Sequence, residues 1–270
     1  MSRPDRVELD YYSSPGRSTD VTRHLPRIAT LPSDPVALGN ITRGLILHDF
    51  DALTRGIDMT PATNGMAIMG ASAVLDRVLE LDANPIDGAR PPEKRMIGFC
   101  YHFAVLHCAL LRANGVASRP RCGFASYLIP DKWTDHWIVE HWTDGGWQLH
   151  DPQIGIDVTP ADFRNGVTAW LLCRSGDADP AIHGNGELWG WDELRGTLVN
   201  DIGSLNKVDV GNWDWCELLQ VDPLDQPHLA IDEHLDHVAA LATGGDGCAN
   251  LRAVFDESNT IRPPDSIIDT

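Results

Sequence analysis

The stretch "DHWIVEHWTDGGWQLHDPQ", residues 135–153, limits what this chain can fold into more than any other. "DHWIVEHW" and "WQLHDPQ" flank Asp144-Gly145, a dipeptide suited to a two-residue type I′ turn, so the segment predicts a β-hairpin. That turn pairs Thr143 with Gly146, which sets Ile138 opposite Asp151 and His136 opposite Gln153. Side chains alternate along a strand, so His136 and Asp151 share one face as diagonal neighbours about 7 Å apart by Cα. Centring the turn on Gly145-Gly146 leaves that shared face intact. His141 and His150 fall on the opposite face. Trp137, Trp142 and Trp147 are expected to pack in the hairpin or the core, and Glu140 to be a strand polar residue. Arg119 and Arg121, around Pro120, are expected to form surface salt bridges, with binding of a substrate carboxylate as the alternative.

A second constraint precedes the hairpin. In "IGFCYHFAVLHCALLRANGVASRPRCGF", residues 97–124, Phe99, Phe103, Leu106 and Leu110 recur at helical spacing. Gly115 after Asn114 supplies a left-handed stop, so the helix is expected from about Cys100 to Ala113. Cys100 lies in its first turn, where unpaired N–H groups and the helix dipole favour an anion and offer donors to an oxyanion. No base lies on its own helix. His102 projects about 200° around the axis, and His107 lies roughly 10 Å along it. Cys108 is also beyond the reach of a disulfide to Cys100. A partner must come from another element. The hairpin offers one, a histidine held by a carboxylate on one face, which suits removal of a thiol proton.

The composition narrows the class of partner. Among 270 residues, 21 basic side chains face 39 acidic ones, a net charge of −18 that repels phosphate backbones and anionic lipid. Neither nucleic acid nor a membrane is expected as a partner. No apolar run approaches the roughly 18 residues of a membrane span, and "MSRPDRVELDYYSSPG" has no apolar core of a secretory signal, which predicts a cytoplasmic protein. The six cysteines, Cys100, Cys108, Cys122, Cys173, Cys216 and Cys248, include no CxxC pair, so most are expected to be reduced and buried. "HWIVEH" lacks the spacing of a zinc-protease helix. A zinc site from His136, His141 and His150 would need ligands from both faces of the hairpin. No metal or cofactor is expected.

Elsewhere the first thirty residues, broken by Pro4, Pro15, Gly16 and Pro26, read as an irregular arm. Ser33 and Asp34 before Pro35 start a helix. A second helix is expected from about Thr60 to Leu81, with a loop through "DANPIDGARPPEKR". After Asp151, "ADFRNGVTAWLLCRSG" reads as a helix and "DADPAIHGNGE" as a loop. "LWGWDELRGTLVNDIGSLNKV" fits helix or strand, and "PHLAIDEHLDHVAALAT" is helical up to "GGDG". These elements predict one α+β domain over residues 1–270. Its core spans about 95–153, with a helical part at 33–90 and a mainly helical extension at 160–256.

The order of these parts resembles the transglutaminase-like superfamily of cysteine acyl-transfer enzymes. A cysteine opens a helix ending in "LLRANGVASR", a histidine opens the strand "DHWIVEHW", and "GGWQLHDPQ" closes in Asp-Pro. The resemblance covers roughly Arg95 to Gln153 and is strongest to bacterial stand-alone members. It implies a papain-like core, with the cysteine helix packed on an antiparallel sheet. It also implies Cys100 as nucleophile, His136 as general base and acid, and Asp151 as orienting carboxylate. Tyr101 stands where a tryptophan is frequent, and Gln153 where a threonine is common. Nothing resembles the flanking β-domains or calcium sites of animal transglutaminases, so protein cross-linking is not implied. The implied reaction is acyl transfer through a thioester, making or cleaving an amide bond on a small molecule or peptide. A binding scaffold that has lost activity is the alternative, and a metal-dependent hydrolase is a third reading.

Overall fold

The computed structural model describes residues 6–60, 65–211, 216, 219, 229–243, 247–258 and 261–264. The chain is α+β with a mixed sheet and divides into two compact units. One is built mainly from Arg3–Pro120 and Ile138–Val158, the other from Arg121–Trp137 and Thr159–Asp269.

In the first unit the helices are α1 (Arg6–Ser13), α2 (Leu25–Ile28), α3 (Pro35–Leu45), α4 (Asp49–Thr54), α5 (Ala71–Leu81) and α6 (Cys100–Ala113). Strands β1 (Ile46–His48) and β2 (Met96–Gly98) pair in parallel, with Leu47 opposite Ile97. Helix α3 starts as its sequence predicts: Asp34 accepts the Ala37 N–H at 2.8 Å and Pro35 fills the first turn. The amino-terminal arm is more ordered than its prolines and glycines suggest. Tyr12 in α1 is fully buried edge-on to Trp147, and its carbonyl accepts the Arg112 Nε–H at 3.1 Å. Helix α5 begins at Ala71, later than expected; residues 61–64 of the expected helix lie outside the described residues. The Ile68 and Met69 carbonyls accept hydrogen bonds from the His102 and Tyr101 side chains of α6.

Strand β3 (Ser118–Ala125) leaves this unit after Pro120, and β4 (Trp133–Thr143) re-enters it after Trp137. Its end pairs antiparallel with β5 (Gly146–Asp151), which pairs antiparallel with β6 (Ile156–Val158). The register runs from Thr143 opposite Gly146 to Val139 opposite His150, as the Asp144-Gly145 turn predicts. The turn is not type I′, however. Positive φ falls on Gly146, at +128°, and on neither Asp144 nor Gly145. The Thr143 hydroxyl stabilises it, donating to the Gly146 carbonyl and accepting the Gly145 N–H.

In the second unit β3 pairs antiparallel with β7 (Phe163–Asn165), and β4 pairs in parallel with β8 (His183–Asn185), which pairs with β9 (Leu188–Trp189). The antiparallel pairings are as expected, and the parallel β4–β8 pairing makes the sheet mixed. The helices are α7 (Gly166–Ser175), α8 (Trp191–Leu205), α9 (Leu229–Thr243) and α10 (Gly247–Glu257). Phe124, Trp170, Leu198, Leu235 and Phe255 belong to one buried apolar cluster. The segment expected as a single helix from Ala161 is a strand first. Asn165 then caps α7 by accepting the Thr168 N–H at 2.9 Å. Most of "GGDG" lies outside the described residues.

Candidate active site

Cys100 is the first residue of α6, and the helix ends as its glycine predicts. Gly115 has φ +76°, and the Val116 N–H reaches back to the Leu111 carbonyl at 3.0 Å. The single apolar stripe read from the sequence understates the packing. Every residue from Cys100 to Arg112 is buried, so α6 is enclosed on all sides. Cys100 keeps 9% exposure, the most of any described cysteine; Cys108, Cys122, Cys173 and Cys216 keep 5% or less. All five are buried thiols rather than disulfides, and Cys248 lies outside the described side chains.

The entry to α6 is locked by His102. Its Nδ1 accepts the Phe99 N–H at 3.1 Å, and its Nε2–H donates to the Ile68 carbonyl at 2.8 Å. Both nitrogens are committed, and burial pushes the imidazole down to about 4. This adds a bonding reason to the angular one for excluding His102 as a base. Gly98 permits the arrangement, because a Cβ there would stand 2.9 Å from His102 Nδ1. Tyr101, fully buried, anchors the next position by donating its hydroxyl hydrogen to the Met69 carbonyl at 2.8 Å.

Asp151, fully buried, ends β5 in the same unit. Its Oδ1 accepts the N–H groups of Gln153 and Ile154 at 2.9 and 3.1 Å, so one oxygen shapes the turn that follows. Arg43 of α3 holds that turn from the other side, with Nη1 donating to the Pro152 carbonyl at 3.2 Å. Gly155 lies so close to the Arg43 guanidinium that a side chain there would collide with it. The Asp151 charge favours the Arg43 cation, although burial outweighs it and lowers the guanidinium pKa. The residues expected near Asp151 did not include Arg43. The two are 108 positions apart, and no local pattern links them.

His136, 2% exposed, sits on β4 in the other unit, edge-on to Tyr127 with ring centroids 6.2 Å apart. Its neighbour Asp135 is approached by the Cys122 thiol at 3.9 Å. Burial pushes the Asp135 carboxyl up to about 6, against the pull of the His136 charge. Glu193 of α8, 6% exposed, is pushed up to about 9, by burial first and by the Asp135 charge second.

Arg119 and Arg121 both form ion pairs, that of Arg119 partly buried and that of Arg121 in the interior rather than at the surface. Arg119 Nε donates to Glu140 Oε2 at 2.6 Å while its guanidinium lies over the Trp147 ring. Arg121 grips Asp201. Trp142 and Trp147 face each other across the hairpin at 5.7 Å, and Trp137 is buried. Among the described residues no group of three His, Cys, Asp or Glu side chains has the geometry to hold a metal ion. Nor is any described helix long and apolar enough to cross a membrane.

Residues 75–152 match the core model of the transglutaminase-like superfamily, a span that contains Cys100, His136 and Asp151. No curated protein matches the sequence. Similar solved structures include a candidate cysteine protease from Cytophaga hutchinsonii, at 17% identity and TM-score 0.39, covering 60% of this chain and 46% of that one. Another is the transglutaminase of red sea bream, at 18% identity and TM-score 0.37, covering 59% of this chain and 34% of that one. The chain thus spans less than half of either protein.

Proposed function

With a transglutaminase-like segment over residues 75–152 as the premise, we propose that the protein is a cysteine-dependent acyl-transfer enzyme. Cys100 is its nucleophile, His136 its general base and acid, and Asp151 the carboxylate that orients the imidazole. The observation that carries this reading is the position of Cys100 inside the matched segment, at the first residue of a buried helix. Sulfur there lies beside N–H groups that have no partner within the helix.

His136 takes the thiol proton, and the sulfur attacks the carbonyl carbon of an amide, ester or thioester. The oxyanion that forms is held by the Cys100 backbone N–H. As the tetrahedral adduct collapses, the leaving group takes the proton from His136 and a thioester remains. Water or an amine then attacks that thioester, losing its proton to His136, and the released sulfur recovers it. A small molecule or peptide is the acyl substrate. The test is turnover of amide, ester and thioester donors by purified protein. Cys100→Ala and His136→Ala are each expected to abolish turnover while the far-ultraviolet circular dichroism stays unchanged. Retained turnover in either variant contradicts the mechanism.

A further inference from the structure

Three histidines that the proposed chemistry does not use come together inside the first unit. His107 projects from α6, His141 from β4 and His150 from β5, at 0%, 7% and 2% exposure. The hairpin register puts His141 and His150 on one face, since His150 lies opposite Val139 and His141 opposite Gln148. The His107 and His150 rings are 5.5 Å apart. Helix α3 closes over them at Gly39, where a Cβ would stand 2.9 Å from His150 Nε2.

The hydrogen bonding of this cluster is incomplete. His150 Nδ1 meets Asp157 Oδ1 at 2.9 Å, but His150 Nε2, His141 Nδ1 and both nitrogens of His107 have no partner among the described residues. A neutral imidazole has one N–H and one lone pair. Protonation converts the lone pair to a second N–H and adds a charge. At His107, where both nitrogens lack a partner among the described residues, the new donor finds no acceptor, and Arg43 and the neighbouring imidazoles oppose the charge. The groups facing the cluster are Arg43 from α3, a cation that opposes protonation, and Asp157 from β6, which is exposed. Asp34 at the start of α3 acts on His141. Burial, and secondly the other histidines, hold His107 well below the usual imidazole range and His141 below it.

We propose that His107 and His141, packed with His150, form an acid-sensitive latch, which holds α6 against the β4–β5 hairpin while His107 and His141 are neutral and releases it when either takes up a proton. The opened state binds protons with the ordinary affinity of imidazole, near pH 6.5, and the closed state resists them. Closure is therefore fully favoured above about pH 6.5 and weakens as pH falls below it, by up to tenfold per pH unit for each histidine that charges on opening. The latch does not depend on the proposed acyl transfer. Its consequence for Cys100, on the same helix, does.

Hydrogen exchange of the α6 peptide in the full chain, corrected for the intrinsic pH dependence of exchange, reads the opening directly. Wild-type protein is expected to open at least tenfold more readily at pH 5.5 than at pH 7. His102, also on α6 and also held low by burial, contributes to that change, so the informative quantity is the difference from His107→Leu. That variant removes one proton site and its unpaired nitrogens, and it should lose a substantial part of the acid response. An equal response in wild type and His107→Leu overturns the proposal. Should His107→Leu fail to fold, NMR titration of ring-labelled histidines in the wild-type chain decides. His107 and His141 staying neutral below pH 6 in the closed state supports the latch. Their protonation near 6.5 without faster exchange overturns it, as does a stoichiometric transition metal bound to His107 in purified protein.

Discussion

Arg121 grips Asp201 with two hydrogen bonds, Nε to Oδ1 at 2.7 Å and Nη2 to Oδ2 at 2.8 Å, and both residues are buried. Asp201 Oδ2 also accepts the Val167 N–H at 3.2 Å, so one carboxylate of α8 ties β3 to the first turn of α7. Removing either partner strands a charge in the interior. Arg121→Met or Asp201→Asn is expected to cost about 3–5 kcal/mol. The double variant Arg121→Met/Asp201→Asn should cost clearly less than the sum of the single changes. Denaturant unfolding in a double-mutant cycle measures the coupling, and additive losses would refute this account of the pair.

Two glycines predict opposite signs for the same substitution. A Cβ at Gly123 on β3 would stand 2.6 Å from Phe163 Cζ and 2.7 Å from Asn165 Cα, with the Arg164 carbonyl closer still. Gly123→Ala is therefore expected to pry β7 from β3 and cost about 1–3 kcal/mol, the usual range for overpacking. Gly44, inside α3, has nothing among the described residues within 4 Å of its Cβ position. Gly44→Ala should stabilise the protein by about 0.5–1 kcal/mol. Thermal unfolding of the two variants is expected to move in opposite directions.

Glu193 gives the second unit a pH dependence opposite to that of the histidine cluster. Its pKa is raised from an ordinary carboxylate value to about 9. Between those limits the folded state holds a proton that the unfolded state has lost, so stability falls as pH rises from about 4.5 to about 9. Asp135, raised from 3.8 to about 6, adds a loss of the same sign at lower pH. Glu193→Gln keeps the shape of the neutral acid and cannot ionise. It should raise the melting temperature at pH 8 by a few degrees and change it little at pH 5, as differential scanning calorimetry would show. A variant less stable than wild type at pH 8 would mean that the folded protein uses the Glu193 charge.

What could be read from the sequence was local. Gly115 ends α6 where expected, and side-chain parity with a short turn sets the hairpin register. The turn type escaped because it depends on which glycine takes the positive φ, and Gly146 is as able to take it as Gly145. Helix α8 was ambiguous because it is buried from Glu193 to Leu205 and has no solvent face to produce a period. Its charged residues look like surface positions in the sequence, yet Arg195 donates to Asp232 at 2.9 Å in the interior. The histidine latch was half legible. The predicted register already puts His141 and His150 on one face, but only the packing of α6 adds His107.

The central claim is that Cys100 is a nucleophile served by His136. The rate at which iodoacetamide alkylates each cysteine of the native protein at pH 7, followed by peptide mass spectrometry, tests it most directly. The account predicts that Cys100 reacts at least tenfold faster than Cys108, Cys122, Cys173 and Cys216, and that His136→Ala removes this advantage. Alkylation of Cys100 no faster than those four, or a rate indifferent to His136, would contradict it.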